Sequence, residues 1–160
     1  MSSIRNYNNT LIDLHTAEQR LKVLQERKES LFWRICGSKG WVIQEGGKVS
    51  SKASKSSTEA FVEMVNTPSL ETGFSLNQEI EMAEEEVRIL KAVLEVMAKG
   101  FTELKGIENN LYCSIVLDGL RPTEAVRKIA EDNFMTEDNV WRTYYPKVRE
   151  LLRKIKKTLQ

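Results

Sequence analysis

Apolar residues recur along most of this chain at intervals of three and four, the period of an α-helix with one buried face. The clearest run is Ile80, Ala83, Val87, Leu90, Leu94, Met97, Phe101 and Leu104, which alternates the two gaps without a miss. It predicts a helix from about Leu76 to Leu104, about 40 Å long at ~1.5 Å per residue. Ser75-Leu76-Asn77-Gln78 stands before it in the S-x-x-Q form of a capping box. Gly100 falls inside the run and is expected to weaken, kink or end the helix. A second stripe opens the chain with Ile4, Tyr7, Leu11 and Leu14 and continues through Ala17, Leu21, Leu24 and Leu31. Its register slips by three between Leu14 and Ala17. The expectation is therefore an amphipathic helix from about Ile4 to Trp33 without a long heptad seam. Packing on the later helix and dimerisation would serve this stripe equally well.

The segment between the two stripes is poorer in pattern. Gly37-Ser38-Lys39-Gly40 ends the first helix, and Trp41-Val42-Ile43 is a short apolar run suited to a strand or a docked loop. Gly46 to Thr58, reading GGKVSSKASKSST, holds almost no apolar residue and cannot offset its own ordering entropy, so it reads as a flexible linker. Its Gly-Gly-Lys lacks the GxxxxGK[ST] spacing of a phosphate loop. Thr58 to Val65 suits a short helix that Asn66-Thr67-Pro68 breaks.

The last third is denser in signals. Ile107, Leu111, Ile115 and Val116 form the apolar face of one helix, and Asp118-Gly119 is its stop. Pro122 suits the first position of the next helix, whose inward face is Ala125, Val126, Ile129 and Ala130. After a break at Asn133 to Thr136, Thr136 caps a third helix, with Glu137 and Asp138 at its positive end. On that helix Val140 and Tyr144 lie about 40° apart and face inward, while Asp138, Asn139, Arg142 and Tyr145 point the other way. Pro146 is expected to stop the helix after little more than two turns, or to kink it. Two short helices joined by a tight turn are the helix-turn-helix unit, whose second helix enters the DNA major groove. Asn can pair with adenine and Arg with guanine through two hydrogen bonds each, which makes Asn139 and Arg142 candidate base readers. Trp141 and Thr143 flank them. Arg121, Lys147, Arg149, Arg153 and Lys154 are candidate phosphate contacts, with Lys156 and Lys157 beyond.

Composition sharpens this picture in one respect. The 160 residues carry a net charge of only +1, but the charge is uneven. Residues 1–57 hold ten Lys/Arg against five acids, residues 58–99 three against nine, and residues 139–160 seven against one. A basic end on a neutral chain suits a module that turns one face to phosphates. Cys36 and Cys113 have no CxxC partner, so reduced thiols are expected rather than a disulfide framework or a zinc site. His15 is the only histidine and sits on a surface-like helical position, so no Ser-His-Asp, Cys-His or metal constellation assembles around it. No enzyme, cofactor or metal is expected. No basic-then-apolar leader opens the sequence, and no apolar run approaches the ~20 residues of a membrane span. A cytoplasmic protein without membrane contact is the expectation.

Leu117-Asp118-Gly119-Leu120, Ile129-Ala130-Glu131-Asp132, Thr136 and Val140 together resemble the helix-turn-helix of sigma-factor region four. That family has a leucine-acid-glycine-leucine turn, a helix ending in Ile-Ala-acid-acid, and a Ser- or Thr-capped recognition helix with a Val. The match runs ungapped from Ile129 to Tyr144. Here the first short helix is four residues longer, one extra turn that preserves its inward face. The family's Leu-Gly in the turn is Asn133-Phe134, so the left-handed glycine is absent and a wider turn is expected. The whole arrangement is similar to phage regulators of the ArpU/RinA type, which control late or packaging genes in viruses of Gram-positive bacteria.

The expected fold is all-α, with two long amphipathic helices that could form a coiled coil and a C-terminal three-helix helix-turn-helix domain. The expected divisions are an N-terminal helix over 1–35, a linker with short elements over 36–74, a long heptad helix over 75–105 and the DNA-binding domain over 106–160. The resemblance implies a homodimeric transcriptional regulator of phage or prophage origin that binds double-stranded DNA, with RNA polymerase as a further partner. Two other classes compete. Gly119-Leu-Arg-Pro-Thr-Glu-Ala125 also resembles the opening of the DNA-binding motif of small terminase subunits, although their usual order of motif and oligomerisation region is reversed here. An inhibitor that uses the helices only as a scaffold for a protein partner is the third.

Overall fold

The computed structural model describes residues 6–37 and 56–160, and among them every regular element is helical. Helix α1 is Tyr7–Phe32 and ends in a π-helical turn, Trp33–Gly37. Helix α2 is Ser57–Asn66, α3 is Leu76–Glu103, α4 is Ile107–Val116 and α5 is Pro122–Asp132. Helix α6 opens as Glu137–Asn139, passes through a π-helical turn at Val140–Tyr144 and continues as Tyr145–Leu159. The fold class is all-α. The apolar run at positions 41–43 and the linker positions 46–55 lie outside the described residues.

The chain divides into two compact units, Met1–Thr16 with Val87–Gln160, and Ala17–Glu86. In the second unit, α2 starts where the Ser56 hydroxyl accepts the Glu59 N–H at 3.2 Å. Phe61 of α2 meets Phe32 edge to face at 5.3 Å. The Asn77 side chain donates to the Asn66 side chain at 2.9 Å, which ties the end of α2 to the start of α3. Helix α3 opens with the expected capping box. The Ser75 hydroxyl accepts the Gln78 N–H at 3.2 Å, and the Ser75 N–H donates to the Gln78 side chain at 3.0 Å.

The buried positions of α3 follow the periodicity. Ile80, Ala83, Val87, Leu90, Leu94, Met97 and Leu104 are buried, and Phe101 is half-buried. Helix α1 corrects the expected slip. Leu11 of the expected stripe is exposed, while Tyr7, Thr10, Leu14, Ala17, Leu21, Leu24, Lys28 and Leu31 are buried or half-buried, an unbroken alternation of three and four with Asp13 and Glu18 half-buried beside it. Two polar residues occupy seam positions and hide the repeat. Thr10 can be buried because its hydroxyl donates to the Asn6 carbonyl at 2.9 Å. A lysine such as Lys28 can lay its methylenes along apolar surface while its ammonium stays wet.

The core of the first unit gathers Val93 and Met97 of α3, and Leu104 just beyond its end, with the inner faces of α4, α5 and α6. Helix α3 does not end at Gly100 but continues to Glu103, and the glycine stands inside it for a reason. The reason is packing: a Cβ at Gly100 would lie 2.4 Å from the Tyr112 ring. Tyr112 fills that space, fully buried, with its hydroxyl donating to the Met97 carbonyl at 2.8 Å. Phe101 touches Tyr112 edge to face at 5.2 Å, and Tyr7 closes the row on Phe101 at 5.6 Å. Beyond α4, Gly119 turns with φ +72°, where a Cβ would also crowd the Asn6 amide at 3.2 Å. Helix α5 then buries the expected Ala125, Val126, Ile129 and Ala130. From α6 come Val148, Leu151, Leu152 and Ile155, each stabilising by about 1.5–3 kcal/mol relative to exposure.

Candidate nucleic-acid interface

The turn between α5 and α6 sets the direction of everything after it. It is not wide. Phe134 itself takes the left-handed conformation, with φ +52°. The Phe134 N–H donates to the Glu131 carbonyl at 3.3 Å and the Met135 N–H to the Ala130 carbonyl at 3.0 Å. That is the pair of bonds a glycine-type helix stop makes, here formed around a phenylalanine. The Phe134 side chain is 99% exposed, so it contributes no burial in return for the backbone strain.

Thr136 caps the next helix as its position implies, its hydroxyl accepting the Asn139 N–H at 3.3 Å. Glu137 and Asp138 then lie in the first turn, where a helix start favours carboxylates. Asp138, Asn139, Arg142 and Thr143 are all exposed and, at separations of three and four, share one helical face. Two side-chain pairs join them. Arg142 Nε meets Asp138 Oδ1 at 3.1 Å, and the Thr143 hydroxyl donates to Asn139 Oδ1 at 2.9 Å. Below them Arg127 of α5 reaches Glu137 at 3.6 Å. The face thus carries a guanidinium and a carboxamide, each held by a neighbour on the same helix.

Pro146 does not stop α6. Proline has no N–H to give and its ring collides with the carbonyl four residues back in α geometry. The Val140–Tyr144 turn relieves this by widening: the Tyr145 N–H reaches back to the Val140 carbonyl, five residues away. The extra residue rotates the following helix by about 100° relative to an unbroken α-helix. That rotation moves Tyr145, which the 3.6-residue period points outward, into a half-buried position. It packs on the core with Trp141, the two rings edge to face at 4.5 Å. Both aromatics are half-buried and pack against the core beside the Asp138–Thr143 face.

No family model, curated protein or solved structure matches the chain.

The basic residues of α6 fall on two flanks instead of one strip. Lys147 Nζ reaches the half-buried Glu108 of α4 at 3.3 Å, and Lys154 reaches Glu150 at 3.8 Å, both on the same side at a separation of seven. Arg149, Arg153 and Lys156 recur at four and three on the other flank, exposed and with no ion pair among the described residues. Arg121 is exposed at the start of α5, where its backbone N–H donates to Glu124 at 3.1 Å. Its side chain makes no hydrogen bond or ion pair with the Asp138–Thr143 face among the described residues. Among the described residues of α5 and α6 and the position before α5, Arg121, Arg149 and Arg153 carry guanidinium groups outside any ion pair, while Lys147 is paired with Glu108 of α4.

Nothing else described gathers reactive groups. Among the described residues no cluster of three His, Cys, Asp or Glu is placed to hold a metal, and His15 is exposed. Cys36 and Cys113 are free thiols. Burial, and then the Asp118 carboxylate, push the Cys113 thiol up, away from thiolate reactivity. No described helix is long and apolar enough to cross a membrane. The π-helical turn had one legible sign in the sequence, a proline ten residues into a well-capped helix. The Gly100–Tyr112 contact had none, because it joins residues on different helices.

Proposed function

We propose that this protein is a sequence-specific DNA-binding regulator of transcription. Helices α5 and α6 act as a helix-turn-helix, and the Asp138–Thr143 face of α6 reads base edges in the major groove. The observation that carries the reading is the exposed, pre-paired face of Asn139 and Arg142 on a well-capped helix start. An asparagine and an arginine there can each supply ~1–3 kcal/mol of base discrimination. Arg149, Arg153 and Lys156 supply the phosphate contacts that position the reader. The resemblance to phage regulators of the ArpU/RinA type adds a phage or prophage setting, a homodimer and RNA polymerase as a further partner. The protein acts in the cytoplasm and needs no cofactor.

The test is selection of bound duplexes from a random pool, followed by binding of the selected duplex in a salt series. Wild type enriches one motif and binds it far above random duplex. An Asn139→Ala/Arg142→Ala variant keeps its fold and its weak, salt-sensitive binding but loses the selectivity. No enrichment by wild type, or equal selectivity in the variant, overturns the proposal. Ring-sized oligomers in solution would instead favour a terminase role.

A further inference from the structure

Both candidate readers are held before any DNA arrives, each by a neighbour on its own helix. Asp138 carries a negative charge at the point of closest approach to a polyanion. It is 68% exposed, and the Arg142 side chain it pairs with is 80% exposed. An arginine so exposed would otherwise sample many rotamers, and a free guanidinium would grip any phosphate it met. The pairing runs through Nε, which leaves the two Nη groups for O6 and N7 of a guanine. Thr143 acts on Asn139 in the same way. Its hydroxyl donates to Oδ1 at 2.9 Å, which fixes the orientation of the carboxamide. Oδ1 keeps a second lone pair, and Nδ2, which gives one weak hydrogen bond to Met135 Sδ at 4.0 Å, keeps its other N–H, the complement of an adenine edge.

We infer that Asp138 and Thr143 are positioning residues: Asp138 aims the Arg142 fork and Thr143 aims the Asn139 amide. Asp138 thereby raises discrimination between sequences while lowering affinity for DNA in general. The two effects have opposite sign and share one cause. The carboxylate repels phosphate wherever the protein lands, but only at a site with a correctly placed guanine does the paired guanidinium recover the loss. The ion pair is weak in water and strengthens when docking excludes solvent. The inference rests on the DNA-reading proposal above and adds to it the residues that set specificity.

The experiment compares wild type, Asp138→Asn, Asp138→Glu and Thr143→Val on a selected duplex and on a random duplex of equal length, with thermal melts to confirm folding. Asp138→Asn should bind random duplex about twofold tighter at low salt, the effect of removing one charge ~8 Å from one phosphate. Its selectivity ratio should fall about twofold, the size of an exposed pair at this spacing. Asp138→Glu, whose longer side chain still reaches four residues on, should restore most of that ratio. Thr143→Val should lower selectivity without changing binding to random duplex. A double-mutant cycle isolates the route: in an Arg142→Ala background, Asp138→Asn should no longer change selectivity. If wild type is selective and Asp138→Asn keeps the same ratio, or if its effect persists without Arg142, the inference is overturned and DNA reading stands. If wild type shows no selectivity, the DNA-reading proposal fails and this inference fails with it.

Discussion

Gly100→Ala should destabilise this protein, although helix propensity alone says the reverse. In the middle of a helix alanine is favoured over glycine by about 0.8–1 kcal/mol. At this position the added Cβ would lie 2.4 Å from both Cζ and Oη of Tyr112 and 2.7 Å from Cε1. The ring has nowhere to go. It is fully buried, edge-on to Phe101 at 5.2 Å and tied to the Met97 carbonyl at 2.8 Å. Forcing a methyl into a packed site costs about 1–3 kcal/mol. If the ring yields, a buried hydrogen bond is lost, at about 1–3 kcal/mol more. After subtracting the propensity gain the net loss is about 1–5 kcal/mol, a fall of roughly 2–20 °C in Tm for a chain of this size. Urea denaturation followed by far-UV circular dichroism measures it, with Lys99→Ala on the exposed side of the same turn as a control. A Gly100→Ala protein as stable as wild type, or more stable, would refute the packing account of the Tyr112 site.

Other consequences follow from the same contacts. Phe134→Gly should stabilise by about 0.5–1 kcal/mol in the same assay, because it relieves a left-handed Cβ without giving up any burial; Phe134→Ala, which keeps the Cβ, should gain little. Burial holds the Tyr112 phenol protonated well above its ordinary value of 10.0, so its contribution is whole below that pH and is lost as pH rises through the folded value. Tyr112→Phe should therefore cost about 0.5–1.5 kcal/mol at neutral pH and flatten the alkaline fall, measured in a Cys113→Ala background because that thiol is pushed up too. Arg149→Ala or Arg153→Ala should each lower the slope of log affinity against log salt by about one, whereas Lys147→Ala should change the slope less and cost stability through Glu108.

The sequence pattern was most readable where one helix face met one core. The bounds of α3, its Ser75–Gln78 box, the inner face of α5 and the Thr136 cap all follow from spacing and residue type, since those effects act within a few residues. The misreadings share a different cause. Gly100 looked like a weak point because propensity does not include the ring that Tyr112 brings from the next helix. At Pro146 the pattern left a stop or a kink open, because the rule against proline assumes α geometry, and the π-helical turn ahead of it lets the helix continue. The same turn shifted the register at Tyr145, which is half-buried. Thr10 and Lys28 concealed the α1 repeat, as polar residues at seam positions do when their polar atoms find partners or water. At the candidate interface the residue types were legible and the pairing was not: that Asp138 meets Arg142 and Thr143 meets Asn139 emerges only from side-chain geometry.

Backbone amide chemical-shift mapping of the full chain, titrated with a selected duplex, tests the central claim most directly. The account predicts the largest changes at Asp138, Asn139, Arg142 and Thr143, with a second group at Arg149, Arg153 and Lys156, and little change at Trp141, Tyr145 and Lys147. Changes centred elsewhere, with the Asp138–Thr143 face undisturbed, would contradict it.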